Sequence, residues 1–204
     1  MKYERLLFAR FALVNAFGAA LLGAAWSAGL VRPVMAGDRT GMVWLISGVF
    51  LVGLAWCARL VRRTSLELDA VRDPDAGTHA GEFLLFAADA PAASRLLLAG
   101  ALKVKLASRA APVRHIANSL VFLGLVGTVV GFVIALSGVD PDAASDPSAV
   151  GPMIGRLVDG MGTALHTTLV GSVLNIWLNV NARILEGGLA RLWTKAVERA
   201  EAAA

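Results

Sequence analysis

Very few residues of this sequence have side chains suited to covalent or metal chemistry. The 204 residues include one cysteine, Cys57, and three histidines. A single cysteine cannot form an intrachain disulfide, and Cys57 lies in an apolar run, where we expect it to be a small core side chain. His79 and His115 have no carboxylate or cysteine at the spacing of a metal site. Without a recognisable nucleophile, base or metal-ligand set, we predict neither an enzyme nor a bound cofactor.

Charged residues are also scarce. They make up 17% of the chain, whereas 57% of the residues are hydrophobic, and the mean hydropathy is +0.67. The apolar residues are concentrated in four runs, at 11–31, 42–60, 116–139 and 157–181. Helices of this length, at ~1.5 Å per residue, are suited to a hydrocarbon core of ~30 Å. The sequence therefore predicts an all-α polytopic membrane protein with four transmembrane helices.

The basic residues have a topological explanation. The formal net charge is +4, but Lys and Arg lie beside the apolar runs, so we predict no nucleic-acid partner. Three precede the first run, nine lie from Arg59 to Arg114, and four follow the fourth run, whereas the remaining segments hold three. This bias predicts that both termini and the middle region are cytoplasmic. The segment with Asp140, Asp142 and Asp146 is then an outer loop.

The region between the second and third apolar runs is charged and rich in alanine, with apolar residues at helical spacing. We interpret 62–115 as a small cytoplasmic helical region. The other divisions are 1–61, with the first two spans, 116–188, with the third and fourth spans, and 189–204, a cytoplasmic tail.

One side of the third predicted span is almost bare of side chains. In the segment LGLVGTVVG (Leu123–Gly131), Gly124, Gly127, Thr128 and Gly131 occur at i, i+3, i+4 and i+7. A face of small residues lets helices approach closely within a membrane. We therefore predict that these glycines, together with Gly171 of the fourth span, mediate helix packing.

Polar side chains gather on the fourth predicted span. At 100° per residue one stripe consists of Thr168, Ser172, Asn175 and Asn179, and an adjoining stripe of Thr163, Thr167 and Gly171. Their hydroxyls and amides either hydrogen-bond between helices or line a hydrated path for a cation. His166 either relays protons or only packs. Asp159 is expected to pair with Arg156, one helical turn earlier.

Two of these segments together resemble a known family. LGLVGTVVG, followed after an acidic segment by GMGTALHTTLVG (Gly160–Gly171), resembles the paired signature of the MotA/TolQ/ExbB proton-channel family. The resemblance covers Ile116–Gly188, and four spans with a cytoplasmic middle region resemble the MotA arrangement. It implies a homopentamer in the bacterial inner membrane that encloses the single transmembrane helices of a dimeric MotB/ExbD/TolR-like partner. Cation flow past an aspartate on that partner would then drive mechanical work.

The resemblance also implies roles for particular residues. Thr128 stands at the third-span threonine of the family and Thr168 at its fourth-span threonine; with Thr163, Thr167 and His166 they form the predicted ion pathway. Thr163 occupies the position at which ExbB proteins carry glutamate, which places the essential acid on the partner. Hydroxyl ligands are compatible with either H⁺ or Na⁺ as the transported ion.

Two functions of other classes remain open at this point. A small secondary transporter would be expected to show internal repeats and interrupted helices. A structural membrane scaffold would use the polar stripe for packing alone.

Overall fold

The computed structural model of the chain describes residues 2–70, 78–88, 90–139 and 147–202. Every regular element in these ranges is an α-helix. In chain order they are α1 (Lys2–Ser27), α2 (Val31–Ala36), α3 (Met42–Ala70), α4 (His79–Ala88), α5 (Ala92–Ser137) and α6 (Pro147–Ala202). The prediction of an all-α fold is confirmed. The predicted outer-loop residues Asp140, Asp142 and Asp146 lie outside the described residues.

Three stretches within these helices are long and apolar enough to cross a membrane. They are Leu6–Ser27, Met42–Leu68 and Ala93–Ser137, as found by length and composition within the described residues. The fourth predicted span, 157–181, is helical but is not among them, so by length and composition there are three candidate spans rather than the four predicted. The physical reason is its content of ionisable, hydroxyl and amide side chains, which lowers the hydropathy of this part of α6.

The first apolar helix ends earlier than its composition indicates. The apolar run continues to Val31, but α1 ends at Ser27. Gly29 has a φ of 75°, in the left-handed region that favours glycine, and its N–H donates to the carbonyl of Trp26 at 3.0 Å. The glycine therefore closes α1, and the short helix α2 follows.

One compact unit of the fold consists of Gly18–Val52 and Ile116–Leu178. Within it, α5 and α6 approach so closely that glycine is required at the contacts. A Cβ atom at Gly131 would lie 2.6 Å from the backbone nitrogen of Ala164, and one at Gly171 would lie 2.6 Å from the carbonyl oxygen of Leu120. At Gly124 the nearest atom would be the carbonyl oxygen of Thr167, at 3.1 Å. The two helices are thus in contact backbone to backbone.

Trp177 of α6 packs against two further helices of the same unit. Its ring centroid lies 5.1 Å from that of Phe50 in α3, with the ring planes tilted by 49°. Gly18 in α1 leaves room for the same indole, because a Cβ there would collide with it. Trp177 therefore joins α6 to α3 and α1 within this unit.

The other unit consists of Met1–Phe17, Gly53–His115 and Asn179–Ala204. Its core is formed by buried apolar side chains of α3, α4, α5 and α6, among them Val61, Leu68, Phe83, Leu102, Leu106, Val113, Leu185 and Leu192. Glu67 and Arg109 link α3 to α5, with Arg109 Nη1 at 2.8 and 2.9 Å from the two carboxylate oxygens. Asn15 Nδ2 donates to Asn181 Oδ1 at 2.8 Å and joins α1 to α6. These two pairs of polar side chains therefore link neighbouring helices of the unit.

Gly160 and Gly162 of α6 form a matched pair for testing the packing of α5 against α6. A Cβ at Gly160 would lie 2.6 Å from Cα of Ala135, whereas one at Gly162 would meet no atom of another element within 4 Å. We expect Gly160→Ala to lower the free energy of unfolding by about 1–3 kcal/mol, because backbone cannot move aside. Gly162→Ala should be neutral or stabilising by up to ~1 kcal/mol, because alanine favours the helix. Denaturation in detergent, followed by circular dichroism, measures both; equal stability would contradict the contact.

Candidate functional site

Two threonine hydroxyls meet where α5 and α6 are in contact. Oγ1 of Thr128 on α5 is hydrogen-bonded to Oγ1 of Thr168 on α6. Thr168 is exposed and Thr128 is half-buried, so the pair lies at the surface of the chain rather than inside it. The neighbouring glycines make the pairing possible, since larger side chains would hold the two helices apart.

Main-chain carbonyls complete an oxygen cluster around this pair. The carbonyl oxygen of Gly124 lies 3.1 Å from Thr128 Oγ1 and 3.2 Å from Thr168 Oγ1, so it accepts from one hydroxyl while the other donates across the pair, and the carbonyl oxygen of Ala164 lies 3.5 Å from Thr128 Oγ1. Each hydroxyl has one hydrogen to donate and two lone pairs, so unused lone pairs remain on the cluster. Uncharged oxygens of this kind can order water molecules or replace part of the hydration shell of a cation.

Thr163 and Thr167 have a different environment from Thr128 and Thr168. Both are buried, with 1% and 0% of their surface exposed. Thr163 Oγ1 lies 2.8 Å from the carbonyl oxygen of Gly37, and Thr167 Oγ1 lies 3.0 Å from that of Ala164. Their hydroxyl hydrogens are therefore directed to the backbone inside the unit.

The remaining residues of the predicted polar stripe lie at the edge of the helix contact. Ser172, Asn175 and Asn179 are all half-buried. Asn175 Nδ2 donates to the carbonyl oxygen of Ala117 on α5 at 2.7 Å. At this position the polar side chain forms an interhelical hydrogen bond, one of the two roles that the sequence left open.

The loop between α2 and α3, residues 37–41, is attached to α6. Arg39 Nη2 lies 2.6 Å from Asp159 Oδ2, so the predicted pairing of Asp159 with Arg156 is wrong. The side chain of Arg156 instead packs beside Gly138 at the end of α5. An ion pair between a loop and a distant helix has no signal in local spacing, which is why the sequence did not show it. The loop itself is shaped by Asp38, which accepts the N–H of Val43 at 3.0 Å and caps α3.

His166 lies on another side of α6 from the threonine pair. His166 is two positions before Thr168, which on an ideal helix places the two side chains about 160° apart around the helix axis. Its side chain is half-buried, and its Nδ1 atom is buried without a hydrogen-bond partner in the described part of the chain. A Cβ at Gly37 would lie 3.0 Å from this Nδ1. The structure therefore brings Thr128 and Thr168 together and places His166 beside the α2–α3 loop.

Across residues 2–70, 78–88, 90–139 and 147–202, no group of three or more His, Cys, Asp or Glu side chains could hold a metal ion. What the site offers is a surface of neutral oxygens between two closely packed helices.

Comparison with known proteins identifies the family. The profile of the MotA/TolQ/ExbB proton channel family matches residues 89–197, a stretch that contains α5, most of α6 and therefore both threonines of the oxygen cluster. Neither the curated proteins nor the solved structures provide a match. Because the matched stretch is more than half of the 204 residues, the chain belongs to the MotA/TolQ/ExbB proton channel family.

Proposed function

We propose that this chain is the ion-conducting subunit of a pentameric motor in the bacterial inner membrane. The motor couples cation flow to mechanical work through a dimeric, single-span MotB/ExbD/TolR-like partner that carries a transmembrane aspartate. The observation that carries the proposal is the hydroxyl pair of Thr128 and Thr168, which lies at a surface that the chain itself leaves uncovered. Membership of a proton channel family favours H⁺ as the transported ion, with Na⁺ as the alternative.

We further propose that α6 crosses the membrane beside α5, although its composition alone does not mark it as a span. Contacts between the two helices extend from Leu120 with Gly171 to Ala135 with Gly160. From Leu120 to Ala135 the helix α5 advances by about 22 Å, which is most of the thickness of a hydrocarbon core of ~30 Å. Because α6 accompanies α5 over this length, its polar groups are directed to neighbouring helices and to the oxygen cluster.

The acid on the ion path must then come from the partner. Among the described residues of α5 and of α6 from 147 to 178, Asp159 is the one carboxylate. It is already paired with Arg39 in the α2–α3 loop. Thr163, at the position of the ExbB glutamate, is buried and bonded to the carbonyl of Gly37. The threonine pair therefore contributes neutral oxygens, which hold water or the ion next to an aspartate on the partner.

The orientation follows from charge. Sixteen Lys and Arg residues precede the first run, lie from Arg59 to Arg114 or follow residue 181, against three in the other connecting segments. The positive-inside rule then places both termini and the middle region in the cytoplasm.

The two alternative functions, a secondary transporter and a structural scaffold, predict different observations. The helices that carry the site, α5 and α6, are continuous, whereas transporters commonly build substrate sites from interrupted helices. A structural scaffold would form the same contacts but would conduct no ions.

The first test of the proposal is the oligomeric state. Exposed apolar side chains of α5 and α6, such as Val129, Phe132 and Leu165, are 56–68% exposed in the single chain, and neighbouring subunits or lipid must cover them. We expect a homopentamer in native mass spectrometry of the protein in detergent. A monomer or dimer as the one species present would contradict the motor proposal.

The second test removes the two hydroxyls of the cluster. The double variant Thr128→Val, Thr168→Val keeps the shape of both side chains, and an interhelical hydrogen bond within a membrane contributes only ~0.6 kcal/mol. We expect the pentamer to form but ion flux to fall about tenfold or more, measured in liposomes that contain the subunit with its partner. Thr167→Val is the matched control, because it removes a buried hydroxyl that donates to the backbone. Full flux in the double variant would leave the hydroxyl pair as packing alone.

The third test separates relay from packing at His166. If the imidazole carries protons, His166→Leu should reduce flux under a proton gradient and leave flux under a sodium gradient unchanged. His166→Gln keeps polarity and approximate volume without the capacity to relay protons, so it should show the same selective loss. Normal proton flux in both variants would assign His166 to packing beside Gly37.

A further inference from the structure

Three arginines of α3 lie within one turn on the outside of the chain. The side chains of Arg59, Arg62 and Arg63 are all exposed. Arg62 and Arg63 follow Arg59 by three and four positions, so each has its Cβ atom ~5–6 Å from that of Arg59. Like charges at this spacing repel one another. An anion that binds between the guanidinium groups would relieve this repulsion.

The described part of the chain supplies no anion for these arginines. None of the three forms an ion pair with another residue in the described ranges. Glu67 is one helical turn beyond Arg63, but both oxygens of its carboxylate accept hydrogen bonds from Arg109, at 2.8 and 2.9 Å. The charge of the arginines is therefore available to a ligand from outside the chain.

The arginines lie at the level of the lipid headgroups. The apolar run 42–60 of α3 corresponds to about 28 Å of helix, close to the ~30 Å of a hydrocarbon core. Arg59 is at the end of this run, and Arg62 and Arg63 lie just beyond it. Trp56, one turn before Arg59 and 50% exposed, has the amphipathic ring that is typical of the membrane interface. Phosphate groups of lipids are thus the nearest external anions.

Apolar surface for acyl chains adjoins the arginines. In the candidate span Met42–Leu68, 28% of the most apolar window is buried, so most of its side chains face outward. The positive-inside rule explains why cations are found at this end of α3. It makes no distinction between lysine and arginine, however, and it does not require the cations to share one turn. Forked guanidinium groups can each bind a phosphate through two parallel hydrogen bonds.

We propose that this part of α3 binds an anionic phospholipid whose headgroup carries a phosphate but no ammonium group, such as phosphatidylglycerol. Arg59 and Arg63 donate to the phosphate, Arg62 adds positive charge beside it, and the acyl chains pass Trp56. A headgroup with an ammonium group is disfavoured, because three cations repel it and the carboxylate of Glu67 is already bound to Arg109. The proposal does not depend on ion conduction, so failure of either proposal leaves the other unchanged.

Native mass spectrometry of the delipidated protein, assembled in detergent, tests the site with lipids of identical acyl chains. We expect the wild type to bind phosphatidylglycerol about fivefold more tightly than phosphatidylethanolamine, and Arg59→Gln or Arg63→Gln to remove this preference. The double variant Arg59→Lys, Arg63→Lys keeps the charge but not the forked donors, and it should lose about two-thirds of the preference.

Arg183→Gln is the matched control for these variants. Arg183 is exposed, lies two positions beyond the fourth predicted span and has no ion pair among the described residues. It stands without a second arginine within one turn, so its replacement should leave the lipid preference unchanged. An equal loss of preference in Arg183→Gln and Arg59→Gln would show general attraction to basic residues and would overturn the proposal.

Three further results would overturn the assignment. One is equal affinity of the wild type for the two lipids, and another is an unchanged preference in both Arg59→Gln and Arg63→Gln. The third is displacement of phosphatidylglycerol by millimolar inorganic phosphate, which would show a site for a free anion. Circular dichroism of each variant verifies that the helices are intact, and a change of one exposed side chain is not expected to unfold them.

Discussion

The backbone contact between α5 and α6 is the constraint on which the rest of the site depends. Four positions along α5, Leu120, Gly124, Gly131 and Ala135, lie against the backbone of α6, and the approach is so close that a side chain is excluded at the glycines of either helix. Dispersion forces and hydrogen bonds must hold helices together in lipid, because lipid is as apolar as the side chains themselves. Once the two backbones touch, Thr128 and Thr168 are brought within hydrogen-bonding distance of each other, and the carbonyl of Gly124 can accept from whichever hydroxyl does not donate to the other.

The threonines of α5 and α6 are of two kinds, which differ in the surroundings of their hydroxyl groups. Thr163 and Thr167 are buried, and their hydroxyls donate to carbonyls within the unit. The hydroxyls of Thr128 and Thr168 are also hydrogen-bonded, but they retain lone pairs at an exposed surface. In a membrane, such lone pairs need water, an ion or another chain as a partner. A difference of one residue, between Thr167 and Thr168, therefore decides whether a hydroxyl stabilises the fold or is available to a ligand.

Local patterns in the sequence predicted the features that depend on helix periodicity. The spacing of Gly124, Gly127 and Gly131 predicted a face bare of side chains, and the motifs around Thr128 and Thr168 predicted the family, which the match to residues 89–197 confirms. Features that depend on distant segments were not predictable in this way. The pairing of Asp159 with Arg39 requires the α2–α3 loop to reach α6. The end of α1 is set by the left-handed backbone of Gly29 rather than by hydropathy. Hydropathy also led to the prediction of a fourth apolar span at 157–181, because polar side chains there that face other helices were counted as if they could face lipid.

The tryptophan at position 177 has a mechanical consequence. Proline within a helix interrupts the hydrogen-bond ladder and creates a hinge, and beyond Pro152 the helix α6 has no proline up to its end at Ala202. The indole of Trp177 is also held against Phe50, which restrains rotation of this part of the helix. The twenty-six residues of uninterrupted helix from 153 to 178, which lie within one unit, correspond to about 39 Å. A push or a twist applied at Thr168 would therefore travel along this part of α6 instead of being absorbed by a bend.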